Sequence, residues 1–171
     1  MAEIWDILDE DGNVTGRTVE RGKPMAKGEY HLVVHVWITN NNGEFLIAQR
    51  TPNKSFPNMW ECVGGSAVAG DDSITTALKE TREEIGIILE LENGQLFKRY
   101  KRHHYNSGDF VDIWLFKQEV DIADVVLRPN ETCGAMWVSR DEINRMIDAG
   151  TFIGREIFTY INELLLVATS I

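Results

Sequence analysis

The hydrophobic pattern of this chain changes period several times, and each change marks an element. Ile4–Leu8 and residues 14–19 mix apolar and polar positions around the turn Asp9, Asp11, Gly12, Asn13, which predicts an N-terminal hairpin within residues 1–28. Residues 20–28 are polar, carry Pro24, and read as a loop. Tyr30–Thr39, YHLVVHVWIT, is apolar and β-branched along most of its length, the pattern of a buried strand. A polar turn over 40–43 leads to a returning strand over 44–49. Residues 51–58 hold two prolines and form a loop, and 59–63 is a short strand running into Gly64 and Gly65.

At Ser73 the period becomes helical. Ser73 is the expected N-cap, Asp71 and Asp72 suit the positive helix end, and Gly86 is a natural stop. At about 100° per residue, Ile74, Ala77, Leu78, Thr81 and Ile85 share a packing face, while Glu80, Glu83 and Glu84 fall on another. Further strands are predicted at 89–91, 94–99 and 111–120, with a short one at Trp137–Val138. Ser139 then caps a helix over 140–149, and 157–167 is a final amphipathic helix. This order of strands, helix, strands and helices indicates an α+β, α/β/α sandwich with a mixed sheet rather than a doubly wound fold. Trp5, Trp37, Trp60, Trp114 and Trp137 read mostly as core by spacing.

Length and composition narrow the function. A chain of 171 residues, 43% apolar and 26% charged, reads as a single domain over 1–171 with a sizeable core. Its net charge of −10 argues against coating a nucleic-acid polymer, which takes basic patches. No apolar run is long enough to span a bilayer, and the acidic N-terminus lacks a signal-peptide core. Cys62 and Cys133 form neither a zinc pattern nor a disulfide framework, so two free thiols in a reduced cytoplasm are expected. There is no internal repeat or low-complexity segment.

The most informative chemistry is the triplet Glu80, Glu83, Glu84. A run of charge is usually a solvated helix face. Here, though, the i, i+3, i+4 spacing stacks three mutually repelling carboxylates just after a Gly–Gly turn that lets backbone approach a ligand. A divalent cation converts that repulsion into a binding site, because hard cations take carboxylate oxygens.

From Gly65 to Ile87 the chain resembles the signature of the Nudix hydrolase superfamily: Gly, five residues, Glu, seven residues, Arg–Glu–apolar–any–Glu–Glu–any–Gly–apolar. Gly65, Glu80, Glu83, Glu84, Gly86 and Ile87 match, while Asp71, Lys79 and Thr81 stand where Glu, Arg and an apolar residue are usual. The resemblance implies the Nudix fold, a mixed sheet between helices. It also implies hydrolysis of a small-molecule diphosphate, such as a nucleoside diphosphate derivative, with Mg2+ or Mn2+. Glu80, Glu83, Glu84 and the Gly64 carbonyl would hold metal, Glu80 or Glu84 would take a proton from water, and Lys79 would orient Glu80 or its neighbours. Relatives often recruit an acid outside the box, for which Asp112, Glu131 and, with less support, Asp109 are candidates. Homodimers are frequent among relatives.

Arg50 and Lys54 bracket the loop before the box strand, where cations would face an incoming diphosphate. The stretch from Ile7 to Trp60, with GEFLIAQRTPNK and FPNMW, resembles the isopentenyl-diphosphate isomerase-like branch, in which the residues matching Arg50 and Lys54 contact diphosphate. An isomerase would carry Cys–Gly–His after the tryptophan. This chain reads WECVGGSA, with Cys62 too early and no histidine, and His31 is expected to be a hydrogen-bonded core residue. A hydrolase is therefore favoured. The alternatives are the isomerase itself and a non-catalytic nucleotide-derivative binder, against which the intact triplet speaks. His103, His104 and Tyr105, beside Lys101 and Arg102, could stack a base but more often form a hairpin tip.

Overall fold

The computed structural model describes residues 2–103 and 107–168, so His104 and Tyr105 lie outside the described residues. The strands are β1 (Ile4–Leu8), β2 (Val14–Glu20), β3 (Tyr30–Thr39), β4 (Phe45–Arg50), β5 (Trp60–Glu61), β6 (Val63–Ser66), β7 (Gly94–His103), β8 (Gly108–Lys117) and β9 (Thr132–Val138). The helices are α1 (Ser73–Ile85), α2 (Arg140–Asp148) and α3 (Ile161–Val167).

The strands form one mixed sheet organised around β3. β8 runs parallel to β3 over its full length, from Tyr30 opposite Gly108 to Thr39 opposite Lys117. β1, β4 and β6 pair with β3 antiparallel. β7 extends the sheet beyond β8, and β9 pairs with β4. Strand alternation then sorts β3 onto two faces. Val34, Val36 and Ile38 pack with Leu46, Val63 and the α1 residues Ala77 and Ile85. Trp37 packs on the other side with Phe45, Ile47 and Ile113 against Ile143 and Met146 of α2 and Ile161 and Leu164 of α3. The sheet therefore lies between α1 and the α2–α3 pair, the expected α/β/α sandwich.

Several boundaries move, each for a local reason. The 59–63 strand is split: Trp60–Glu61 pairs with β4, whereas Val63–Ser66 pairs with β3. Residues 89–91 form no strand; Leu89 is buried in an irregular segment that enters a 3-10 turn at Leu91–Asn93. β8 begins at Gly108 and stops at Lys117, and β9 begins at Thr132 because its pairing with β4 extends back to Arg50. α3 starts at Ile161 rather than 157, because Phe158 and Tyr160 turn inward. Tyr160 Oη accepts a hydrogen bond from Trp37 Nε1 (3.0 Å) and lies 2.7 Å from His35 Nδ1. Of the five tryptophans only Trp37 is fully buried; the others are half-buried.

Candidate active site

The box segment folds as a strand, a loop and a helix. Asp72, not Ser73, caps α1, its side chain accepting from the Thr75 N–H at 2.9 Å. Ser73 Oγ instead accepts from Trp114 Nε1 (2.8 Å), pinning the helix start to β8. At the other end Gly86 has φ 75°, a conformation that suits glycine, and its N–H closes the helix onto the Arg82 carbonyl. Thr81 packs as an apolar residue would, fully buried, its hydroxyl donating to the Ala77 carbonyl. Gly65 serves a different need. A Cβ there would lie 2.5 Å from Glu80 Cδ, so the missing side chain is what lets the Glu80 carboxyl rest against β6.

Glu80, Glu83 and Glu84 line one cavity of about 890 Å³. They are not equivalent. Glu84 is buried beside Ile85, Glu80 is half-buried, and Glu83 is exposed. Among the described residues, the wall carries eight carboxylates and seven Lys or Arg side chains, which makes the cavity almost balanced inside a strongly acidic protein.

Most of those charges are already paired. Arg50 is committed at three points: Nη1 donates to Glu61 Oε1 (2.5 Å), Nε to the Ser55 carbonyl (2.6 Å) and Nη2 to Ser55 Oγ (2.9 Å). Lys54 Nζ donates to Glu131 (3.2 Å), Lys79 to Asp71 (2.6 Å), Arg102 to Asp109 (2.7 Å), Arg128 to Glu83 (2.9 Å) and Arg21 to Glu3 (2.9 Å). Among the described residues the exceptions are on α1: the exposed Arg82 and two of the acids. Among the described residues Glu80 has no ion-pair partner, and the one cation near Glu84 is Lys54 at 4.0 Å.

Their ionisation reflects this. Burial, then the neighbouring Glu83 and Glu131 charges, pushes the Glu80 carboxyl up to about 7. Burial and the Glu61 charge push Glu84 up to about 8, with Lys54 offsetting part of the rise. Glu61 is also raised, mainly by burial, despite Arg50.

The sequence-predicted residues divide into two groups. Gly64, Arg50, Lys54, Lys79, Glu80, Glu83, Glu84, Asp109 and Glu131 all border the cavity. Asp112 does not: it is fully buried and holds Arg99 in a two-point fork at 2.5 and 2.7 Å. Asp109 is likewise engaged by Arg102 (2.7 and 2.9 Å). Lys79 grips Asp71 rather than Glu80, because adjacent helix residues diverge by about 100°. His31 is half-buried rather than core, and stacks on Trp5 with ring centroids 4.1 Å apart.

Glu61, Arg102 and Arg128 border the cavity without having been singled out as site residues. Their signals lie in strand register and in a distant loop, not in any motif. His35, also at the wall, is held neutral, burial pulling its pKa down to about 3.

Among the described residues, no three donor side chains already converge as a metal cage. The donor chemistry nevertheless fits a hard divalent cation. Glu80 and Glu84 are oxygen donors, at least half-buried and lacking close countercharge, and the Glu80 carboxyl rests against Gly65.

Residues 29–160 match the NUDIX domain family. A Nudix hydrolase of Listeria monocytogenes is 35% identical over 164 residues, covering 95% of this chain and 93% of its own. In fold, the chain resembles a crystal structure from Deinococcus radiodurans, with TM-score 0.74, 21% identity, and coverage of 94% of this chain and 98% of the other. It also resembles a MutT protein from Methanosarcina mazei, with TM-score 0.62, 23% identity, and coverage of 83% and 96%. With the family matched across most of its length and the signature carboxylates gathered at one cavity, this chain belongs to the Nudix hydrolase family.

Proposed function

We propose that this protein is a divalent-cation-dependent pyrophosphohydrolase, cleaving the P–O–P bond of a small organic diphosphate such as a nucleoside diphosphate derivative. The observation that carries this reading is the pair Glu80 and Glu84: shielded, raised to about 7 and 8, and short of countercharge in a wall where the other acids have close cationic partners. Folding gains nothing from such a pair; a bound cation would.

Glu80, Glu84 and, once freed from Arg128, Glu83 would hold Mg2+ or Mn2+, with the Gly64 carbonyl beside them. The ion supplies Lewis acidity and offsets the charge of the phosphates. Glu80 or Glu84 accepts the proton of the attacking water as its oxygen bonds to phosphorus and the bridging P–O bond breaks, releasing two phosphate-bearing products. Lys54 would receive the diphosphate, and Arg50, bonded to Ser55, would hold the 51–58 loop that carries it. Lys79 fixes the box loop to the helix through Asp71. Glu131 shares the cavity as an additional oxygen donor, whereas Asp112 is assigned to structure because Arg99 occupies it.

Carbon-centred isomerisation is not favoured. Cys62 is buried with its thiol pushed well up, mainly by burial, and no histidine follows it in β6. The test is phosphate or nucleotide release across nucleoside diphosphate derivatives and prenyl diphosphates, with Mg2+ or Mn2+ and with chelator. Cation-dependent cleavage of at least one substrate is expected. Turnover that persists undiminished in chelator would rule this reading out.

A further inference from the structure

The pairing pattern carries one step more, which rests on the cation-dependent reading above. We propose that Arg128 is a phosphate-binding residue held in reserve by the metal ligands: in the free protein it neutralises Glu83 and Glu131, and it transfers to the substrate's diphosphate when a cation takes over the carboxylates.

The loop around Arg128 is built as a fixed mount with a movable arm. The last carbonyls of α1 lack partners within the helix. Two of them are used here: the Arg128 N–H donates to the Glu84 carbonyl (3.0 Å) and the Val126 N–H to the Ile85 carbonyl (2.9 Å). The Arg128 carbonyl in turn accepts from the N–H groups of Glu131 (3.2 Å) and Thr132 (3.1 Å), closing a turn in which Asn130 sits at φ 68°. The backbone of Arg128 is therefore tied to the residue that carries the box's most buried carboxylate.

Its side chain is under no such constraint. The side chain is 44% exposed, and its guanidinium reaches Glu83 at 2.9 Å and Glu131 at 3.5 Å. Exposed pairs of this kind are worth little, so exchanging partners is cheap. A guanidinium also matches phosphate oxygens with two parallel donors, which an ammonium cannot do.

Charge balance supplies the direction. The cavity is almost balanced as it stands, so a diphosphate entering alone would meet cations that, apart from the exposed Arg82, are already occupied by acids. A divalent cation on Glu80, Glu83 and Glu84 makes Arg128 redundant as their counterion and frees its donors. Lys54 stands in the same relation to Glu84 and Glu131, at 4.0 and 3.2 Å. Cation and diphosphate would therefore bind as mutually dependent partners, with Arg128 as one of the couplers.

The experiment is two binding measurements on the intact protein and on Arg128→Ala and Arg128→Gln. The first is Mn2+ alone, by electron paramagnetic resonance. The second is methylenediphosphonate, a non-hydrolysable diphosphate, at saturating Mn2+, by calorimetry. Both variants retain the backbone bonds of the loop, and thermal melts check that they fold. Exchange predicts opposite signs: Mn2+ binding about threefold to fivefold tighter as Glu83 is freed, and diphosphonate binding about tenfold or more weaker. Diphosphonate binding unchanged in both variants overturns the proposal, since Arg128 would then be only a counterion. Mn2+ binding weakened in both also overturns it, because Arg128 would then be supporting the site. Failure of the unaltered protein to bind Mn2+ is a separate outcome: it removes the cation-dependent reading itself, and this proposal with it.

Discussion

Two pairs of acids are taken out of water within the same sheet-and-helix frame, and the fold treats them in opposite ways. Asp109 and Asp112 on β8 are each gripped at two points by an arginine from β7, Arg102 and Arg99. Among the described residues, Glu80 and Glu84 on α1 have no arginine fork of their own, and the one ion-pair contact to either is Lys54, 4.0 Å from Glu84. A shielded carboxylate with a fork is compensated where it stands and belongs to the architecture. Shielded carboxylates without one are stable only when protonated or when something else brings positive charge. That contrast separates structural acids from functional ones better than burial does, since Asp112 is the most buried acid of the four.

Glu84→Gln is the strongest way to break the comparison. It keeps the size and position of the side chain and removes its charge. Turnover with Mg2+ is expected to fall by about 10³-fold, the scale of losing a group that both carries metal and moves protons, with an unchanged circular dichroism spectrum. A variant that keeps full kcat/KM on a true substrate would place Glu84 among the structural acids and collapse the distinction.

The converse change tests the other pair. Arg99→Ala leaves Asp112 buried without its fork, and stability measured by urea unfolding should drop by about 3 kcal/mol, the low end for breaking a buried pair because half of the arginine is exposed. Once corrected for the folded fraction, its specific activity should match that of the unaltered protein. A large loss of activity with little loss of stability would mean that Asp112 serves the site after all.

How much of this could be read from the sequence follows the same division. The box spacing carried the helix and the triplet, because each depends on residues within one local segment; that Gly65 makes room for the Glu80 carboxyl depends on how the helix packs on β6. The spacing did not resolve the triplet into buried Glu84 and exposed Glu83. Glu84 lies only about 60° around the helix from Thr81, at the edge of the packing face, and tertiary contacts decide such edge positions. The two forks on β8 follow from the β7–β8 register, which sets Arg99 opposite Asp112 and Arg102 opposite Asp109. Alternation predicted the strands but not their register. Arg128 lies 45 residues from Glu83 in a loop without regular structure, and no periodicity joins the two.

The subtlest test concerns stability in the absence of metal, where Glu84 and the buried His35 should respond to pH in opposite senses. The Glu84 carboxyl rises from an ordinary 4.5 to about 8 on folding. Between those values the folded protein binds more protons than the unfolded chain, so Glu84 makes stability fall as pH rises. His35, lowered from 6.5 to about 3, acts the other way: the unfolded chain takes up its proton first, and stability is lost as pH falls below 6.5. A single pH–stability curve would therefore blur the two. The difference between the unaltered protein and Glu84→Gln isolates the carboxyl, because His35 is common to both. Without metal, the Gln variant should gain on the order of 2 kcal/mol relative to the unaltered protein between pH 5 and pH 7, read from urea midpoints. Saturating Mg2+ should reverse the order by stabilising only the protein that retains the carboxylate. A difference that stays flat with pH would mean that Glu84 is ionised and compensated in the free protein, as a structural acid would be.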